Sequence, residues 1–388
     1  GKAGAAIAAL TVRDARFATD GRGVLVLTRH GPSADSVRYQ QLAYLGLDGH
    51  GWRELSSDAS HDVERFDRSA DGHFIAYTVN DGGNSHVMLI DQQRKLDLTV
   101  PALPAGIVNS VKFDGSGQHL ALTVESVRSP GDVYVLEPQT QSVTRWTQSE
   151  VGPLNADSFV LPQVLHFPTW DRVDNKQREL SALVYRPPAA AATPAPVLLL
   201  LCGGGGRQCR PGFDPFLQWL VNQLGAVVIA PNVRGSSGFG RELSEAGQGA
   251  LRDDAVRDVG SLLVWVDLQH DLDRSRVAVL GEGYGAYLAL QSLVDYGDRL
   301  RGGIAAFPPP LTGLANGAAI RRPLLLVQGL NNPLVPAYQV EQLRSRLRVG
   351  GDEVQYLAAA DEGAGFTRAS SHAAYLSAAA NFLAQLFR

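Results

Sequence analysis

The chain has 388 residues, 45% of them hydrophobic and 19% charged, with a formal net charge of −4. This is globular composition, enough for large cores in two or three domains. It excludes a basic nucleic-acid surface and an acidic disordered tail, and no apolar run approaches the roughly 18 residues of a membrane span.

The start, Gly1-Lys2-Ala3-Gly4, has neither an initiator methionine nor a complete signal peptide, as expected of a processed, trimmed or partial chain. Residues 1 to about 150 then carry an internal repeat. Phe17 leads to Asp20-Gly21 and the run Val24–Thr28, Phe66 to Asp71-Gly72 and Phe74–Thr78, and Phe113 to Ser116-Gly117 and His119–Thr123. The phenylalanines are 49 and 47 residues apart. A turn pair between strands at this period predicts four-stranded propeller blades, about three of them, over residues 1–155; the alternative is an irregular β-sandwich. Three blades leave sheet edges or faces uncovered, so a homo-oligomer or a second chain completing the ring is expected.

Gly152, Pro153, Asn155 and Asp157 mark a junction. From there the chain alternates strands and helices, which predicts an α/β domain over 156–388 with a mostly parallel sheet covered on both faces. Strands are predicted at Gln163–Phe167, Leu180–Tyr185, Val197–Leu201, Ala226–Ala230, Arg276–Leu280, Gly303–Phe307, Leu324–Gln328 and Glu353–Leu357. Helices are predicted at Pro215–Leu224, Leu251–Gln269, Tyr284–Tyr296, Ala337–Arg348 and Ala373–Phe387. The Ala/Pro run Pro187–Pro196 reads as a surface connection.

The segment Gly281-Glu282-Gly283-Tyr284-Gly285 sits between a hydrophobic strand and a helix, the setting of the G-x-S-x-G nucleophile elbow of α/β-hydrolases. Its central residue is Gly283, which has no side chain with which to attack a carbonyl. Together with Arg210-Pro211-Gly212-Phe213, Ala230-Pro231-Asn232-Val233-Arg234-Gly235-Ser236-Ser237-Gly238-Phe239-Gly240 and Asp361-Glu362-Gly363-Ala364-Gly365-Phe366, this segment resembles the prolyl oligopeptidase family of serine peptidases, especially its bacterial acylaminoacyl-peptidase-like members. The resemblance spans nearly the whole chain. It implies an α/β-hydrolase domain after a propeller, peptide hydrolysis as the family activity, and a periplasmic or secreted location over a cytoplasmic one.

The resemblance also implies where a triad would lie. The serine falls on Gly283, the aspartate on Asn332 within Gly329–Pro336, and the histidine on Ala364. The histidine before the glycines falls on Cys202, and Gly203, Gly204 and the N–H of Tyr284 fall on oxyanion positions. The segment between Phe307 and Arg322 is shorter than family members carry, which implies a different cleft wall.

A triad acts as a unit, and its removal costs about 10⁶ in turnover in the best-studied case. The expectation is therefore a pseudoenzyme that binds a peptide or protein, or serves in a larger assembly. Two alternatives stand beside it: a family hydrolase with relocated catalytic residues, for example a Cys202 thiol with His372 as its candidate base, and a purely structural subunit. Cys202 and Cys209 form either a thiol site or a disulfide. Glu282, Asp361 and Glu362 are carboxylate candidates better read as structural. The glycines at 203–206 lack the endings of phosphate loops, and the six histidines His30, His50, His61, His73, His86 and His119 read as solvated strand-end residues; no cofactor and no metal is implied.

Overall fold

The computed structural model describes residues 12–31, 36–56, 60–188, 194–310, 320–349 and 354–388. The chain divides into two compact units: Gly1–Phe159 with Arg210–Phe213 and Gly238–Leu243, and Val160–Cys209 with Asp214–Ser237 and Ser244–Arg388.

The first unit contains three successive four-stranded antiparallel sheets. They are β1 (Val12–Phe17) to β4 (Arg53–Glu54) with β2 (Gly23–His30) and β3 (Ser36–Gly46); β5 (Asp62–Arg68) to β8 (Leu96–Leu98) with β6 (Phe74–Asp81) and β7 (Asn84–Asp91); and β9 (Gly106–Phe113) to β12 (Ser142–Arg145) with β10 (Leu120–Ser126) and β11 (Ser129–Glu137). Each sheet begins with the same hairpin. Phe17 pairs with Val24, Arg68 with Ile75 and Phe113 with Leu120 next to the turn, so Phe66 lies two residues before the position its sequence repeat implies. The turns need glycine because Gly21, Gly72 and Gly117 have φ of 63°, 73° and 73°. In the first two, the Asp20 and Asp71 carboxylates accept the N–H two residues on, at 2.8 and 3.0 Å.

The middle sheet explains the stacking. Along β6, Ile75, Tyr77 and Val79 enter one core with Leu25, Leu27 and Leu42 of the first sheet, while Phe74 and Ala76 enter another with Leu120, Leu122 and Val124 of the third. Strand alternation therefore buries both faces of β6. Polar contacts cross between sheets as well. Arg16 pairs with Asp67 and lies over the Phe66 ring at 5.2 Å, and the other Asp67 oxygen accepts the Phe113 N–H at 2.8 Å.

The second unit is built on an eight-stranded sheet of order β13-β14-β16-β15-β17-β18-β19-β20. Its strands are β13 (Gln163–Val173), β14 (Lys176–Tyr185), β15 (Ala195–Leu201), β16 (Val227–Pro231), β17 (Leu272–Glu282), β18 (Gly302–Ala306), β19 (Leu324–Gly329) and β20 (Val354–Ala359). Only the β13–β14 and β14–β16 pairings are antiparallel. The helices are α1 (Pro215–Asn222), α2 (Gly240–Glu245), α3 (Arg252–Asp267), α4 (Tyr284–Asp295), α5 (Ala337–Val349) and α6 (Ala369–Leu386). Strands β15, β16, β18 and β19, and β17 from Val277 to Gly281, are nearly continuous buried runs, as expected of strands covered on both faces.

All eight predicted strands and five predicted helices of this unit are present, with shifted ends. Two elements are not anticipated. β13 and β14 run on to a long hairpin through Asp174 and Asn175, whose φ of 49° and 62° are those of a type I′ turn. The short helix α2 begins at Gly240, whose φ is 82°, and its residues Gly240–Leu243 belong to the first unit. The expected short segment at 311–319 and most of the Ala/Pro connection, 189–193, lie outside the described residues. Among the described residues, no helix is long and apolar enough to cross a membrane.

Candidate functional site

The elbow forms as its glycine spacing demands. β17 ends at Glu282, Gly283 turns with φ 57° and ψ −120°, and α4 starts at Tyr284. The Gly283 N–H donates to the Ala306 carbonyl at 3.0 Å, tying the turn to β18. The flanking glycines serve close packing: a Cβ on Gly281 would lie 2.0 Å from the Gly285 carbonyl oxygen, and one on Gly285 would lie 1.8 Å from that of Leu201. Gly283 differs. A Cβ there meets nothing within 4 Å, so the turn is sterically open and asks for glycine through its φ alone.

The other two triad positions carry structural roles or none. Asn332 is buried after β19, and its side-chain oxygen accepts the Leu334 N–H at 2.9 Å, an Asx turn. Ala364 is exposed in the turn that follows β20. That turn is shaped by Glu362, which accepts the N–H groups of Thr367 and Arg368 at 3.0 Å each; these backbone bonds, led by Thr367, hold its carboxyl below the ordinary range. Asp361 pairs with Arg368. The two carboxylates are thus occupied in the turn.

Cys202 and Cys209 form a disulfide, with sulfurs 2.01 Å apart and Cα atoms 5.3 Å apart. Of the two readings left open for this pair, a thiol site or a disulfide, the structure has the disulfide. The loop is pinned along its length. Asn232 accepts the Cys209 N–H at 2.8 Å, Gly206 donates to the Gly235 carbonyl at 2.8 Å, and the Tyr284 ring lies where side chains at 204 and 205 would be. Gly204 donates its N–H to Ser236 Oγ at 2.9 Å and to the Arg207 carbonyl at 3.2 Å. That donor is spent on the loop rather than on an oxyanion. Gly203 is wedged against Pro231 and Ser236. The N–H of Tyr284, in the first turn of α4, has no intrahelical acceptor.

The Asn232–Gly235 stretch is anchored by a buried ion network. Arg234 bonds Asp258 at 2.6 and 2.8 Å and Asp171 at 3.0 Å, and lies over Trp170 at 4.6 Å. Burial opposes both carboxylates. For Asp171, hydrogen bonds from Thr169 and Arg234 outweigh it and bring the carboxyl down to about 2; for the fully buried Asp258, burial wins and the carboxyl is raised.

Beside the elbow, at the carboxyl ends of β15 and β17, lies a cavity of about 390 Å³. Its polar wall carries Arg207, Asp214, Glu282, His372 and Tyr375, with Cys202 among them; leucines such as Leu201, Leu217 and Leu280 form the rest. Tyr375, buried on α6, donates to Glu282 at 2.8 Å. Burial and then the Glu282 charge push the Tyr375 hydroxyl well up, so it stays a donor. Asp214 caps α1 by accepting the Leu217 N–H at 2.9 Å. Although Asp214 reaches solvent, the protein packed around it raises its carboxyl above the ordinary range, with His372 acting the other way. An edge-to-face cluster of Phe307, Phe366 and Tyr375 backs the cavity, and Phe307 has a φ of 53°, a strained value for a bulky residue.

The sequence singles out His372 and Glu282 but not their meeting with Asp214 and Tyr375. Tyr375 and Glu282 lie 93 residues apart, and no local pattern links them. Among the described residues, no three His, Cys, Asp or Glu side chains gather to hold a metal. His73 and His119 instead sit against Asp91 and Asp114, at 3.1 and 3.0 Å.

Comparison with known proteins follows the same lines. Residues 211–310 match the family model described as "Prolyl oligopeptidase family". The chain is 28% identical to "Dipeptidyl aminopeptidase BIII" of Pseudoxanthomonas mexicana over 45% of this chain and 31% of that protein. It superposes on the crystal structure of puromycin hydrolase with a TM-score of 0.86, 21% identity, and coverage of 97% of this chain and 62% of that one. It superposes on the acylaminoacyl peptidase of Pyrococcus horikoshii with a TM-score of 0.72, 17% identity, and coverage of 94% and 61%. The chain thus spans about a third of the curated relative and under two thirds of these structures. These likenesses overturn the expectation of a chain without enzymatic activity, because the proteins it matches carry peptidase and hydrolase names. Residues 211–310, which hold both the elbow and the Asn232–Gly235 stretch, are thus similar to the prolyl oligopeptidase family, and the fold as a whole is that of its solved members.

Proposed function

We propose that this chain is the hydrolase part of a peptide-cleaving enzyme, acting on peptide or aminoacyl amide bonds with catalytic groups displaced from positions 283, 332 and 364. The observation that carries this reading is the cavity beside the elbow, which gathers Asp214, Glu282 and His372 where ligands bind in open α/β sheets. The relatives named dipeptidyl aminopeptidase and puromycin hydrolase support amides of short peptides as the substrate class. The leucine-rich wall suits an apolar side chain, and the volume lies within the range of small-ligand sites. His372 is the imidazole on the wall and is assigned proton transfer. Asp214, with a carboxyl raised above the ordinary carboxylate range, is assigned protonation of the leaving amine. Glu282, held by Tyr375, is assigned the substrate's amino group.

The test is turnover of aminoacyl and dipeptidyl arylamides by the full chain, under non-reducing and reducing conditions. We expect His372→Ala to lower turnover about a hundredfold or more, with Asp214→Asn, which can keep the helix cap, falling less. Absence of turnover above buffer in both conditions sinks the reading.

We propose a partner as well, with the three sheets read as propeller blades. Phe113 is half-buried against the core shared by the second and third sheets, whereas Phe17, at the same place in the repeat, is 67% exposed on the edge strand β1. A second copy or another chain covering this face accounts for the difference. Sedimentation is expected to show association that Phe17→Ser weakens; a monomer at high concentration would argue decisively against it.

A further inference from the structure

The two cysteines of the disulfide are placed unequally. Cys209 is 2% exposed, and its N–H is held by Asn232. Cys202 is half-buried and sits on the cavity wall with His372 and Arg207. Thiol–disulfide exchange runs at the sulfur that a thiolate can reach, and partly exposed disulfides are the labile ones. The bonds of Asn232, Gly206 and Gly204 hold the loop independently of the disulfide, so opening it leaves the loop anchored. The elbow itself offers no nucleophile, since Gly283 has no side chain.

We propose that Cys202 is the nucleophile of this site, masked by Cys209 and released by a dithiol reductant. This inference rests on the reading of the cavity as the hydrolytic site. A reductant thiolate attacks Cys202 Sγ, the Cys202–Cys209 bond breaks, and Cys209 leaves as a thiolate that takes up a proton. The reductant's second thiolate then attacks its own sulfur in the mixed disulfide, freeing Cys202 and leaving the reductant as a cyclic disulfide; two electrons pass from dithiol to cystine. His372 and the Arg207 cation, on the same wall, favour the thiolate. The thiolate adds to the substrate carbonyl. The amine departs with a proton from an acid on the wall, and water cleaves the thioester, restoring the thiolate and releasing the acid.

The experiment compares the oxidised full chain with the chain incubated in dithiothreitol. It reads turnover of an aminoacyl coumarylamide, and iodoacetamide alkylation of each cysteine by peptide mass. Reduction is expected to raise turnover about a hundredfold or more, and Cys202 to alkylate faster than Cys209. Cys209→Ser is expected to be active without reductant and Cys202→Ser inactive with it. His372→Ala is expected to move the alkylation profile of Cys202 to higher pH. Thermal melting of each protein checks that it is folded, and reduced wild-type chain serves if Cys209→Ser does not fold. Turnover that dithiothreitol and both cysteine substitutions leave unchanged overturns the nucleophile and spares the hydrolase reading. Selective alkylation of Cys202 with no turnover in either state overturns both.

Discussion

In the first unit, β6 is buried on both faces by plain alternation, with Ile75, Tyr77 and Val79 to one side and Phe74 and Ala76 to the other. In the second, the segments around the elbow are held by glycines with no room for a side chain and by Arg234 between two carboxylates. The first arrangement repeats and uses non-directional burial, so each sheet needs little beyond apolar residues at every second position. The second occurs once, and each contact depends on geometry that no neighbour can replace. Apolar repeats tolerate change of shape, whereas a buried charge left without its partner does not.

Substitutions can break this comparison. Arg234→Ala leaves Asp258 buried without its partner and is expected to cost about 3–5 kcal/mol by denaturant midpoint at constant slope. Leu122→Ala, in the core between the second and third sheets, is expected to cost about 2–4 kcal/mol. If Leu122→Ala proves the costlier of the two, the claimed difference between the regions fails.

The elbow sharpens the comparison at the scale of one methyl group. Gly285→Ala drives a Cβ toward the Leu201 carbonyl and is expected to cost about 2–3 kcal/mol. Gly283→Ser meets open space and bears only the positive φ, about 1 kcal/mol. Equal costs at the two positions would show that backbone conformation, not packing, sets the glycines of this turn.

The smallest expected effect is an acid dependence. The folded Asp171 carboxyl is lowered from 3.8 to about 2, so its contribution is complete above pH 4 and is lost as pH falls toward 2. Asp171→Asn is expected to flatten that part of the stability curve. An unchanged slope would place the acid sensitivity elsewhere in the chain.

Much of the architecture was legible because it is local. The Phe–turn–strand repeat announces three similar hairpins, since a turn glycine and a period of two are written within about a dozen residues. The βα alternation announces the parallel sheet, and the elbow spacing announces the strand-to-helix turn. The β13–β14 hairpin was cut short because Trp170–Asn175 lacks an apolar pattern, although Asp174-Asn175 is turn chemistry of the right kind.

The sequence by itself determined the repeat, the order of strands and helices, the resemblance to a family, and the absence of a hydroxyl at position 283. Only the tertiary structure decided that Cys202 is joined to Cys209, that the Gly204 N–H is spent on Ser236, and that Tyr375 reaches Glu282 beside Asp214 and His372. The physical reason is range. Periodicity and turn chemistry act between near neighbours in the chain, whereas a cavity is made by segments that meet only after the sheet has ordered its strands.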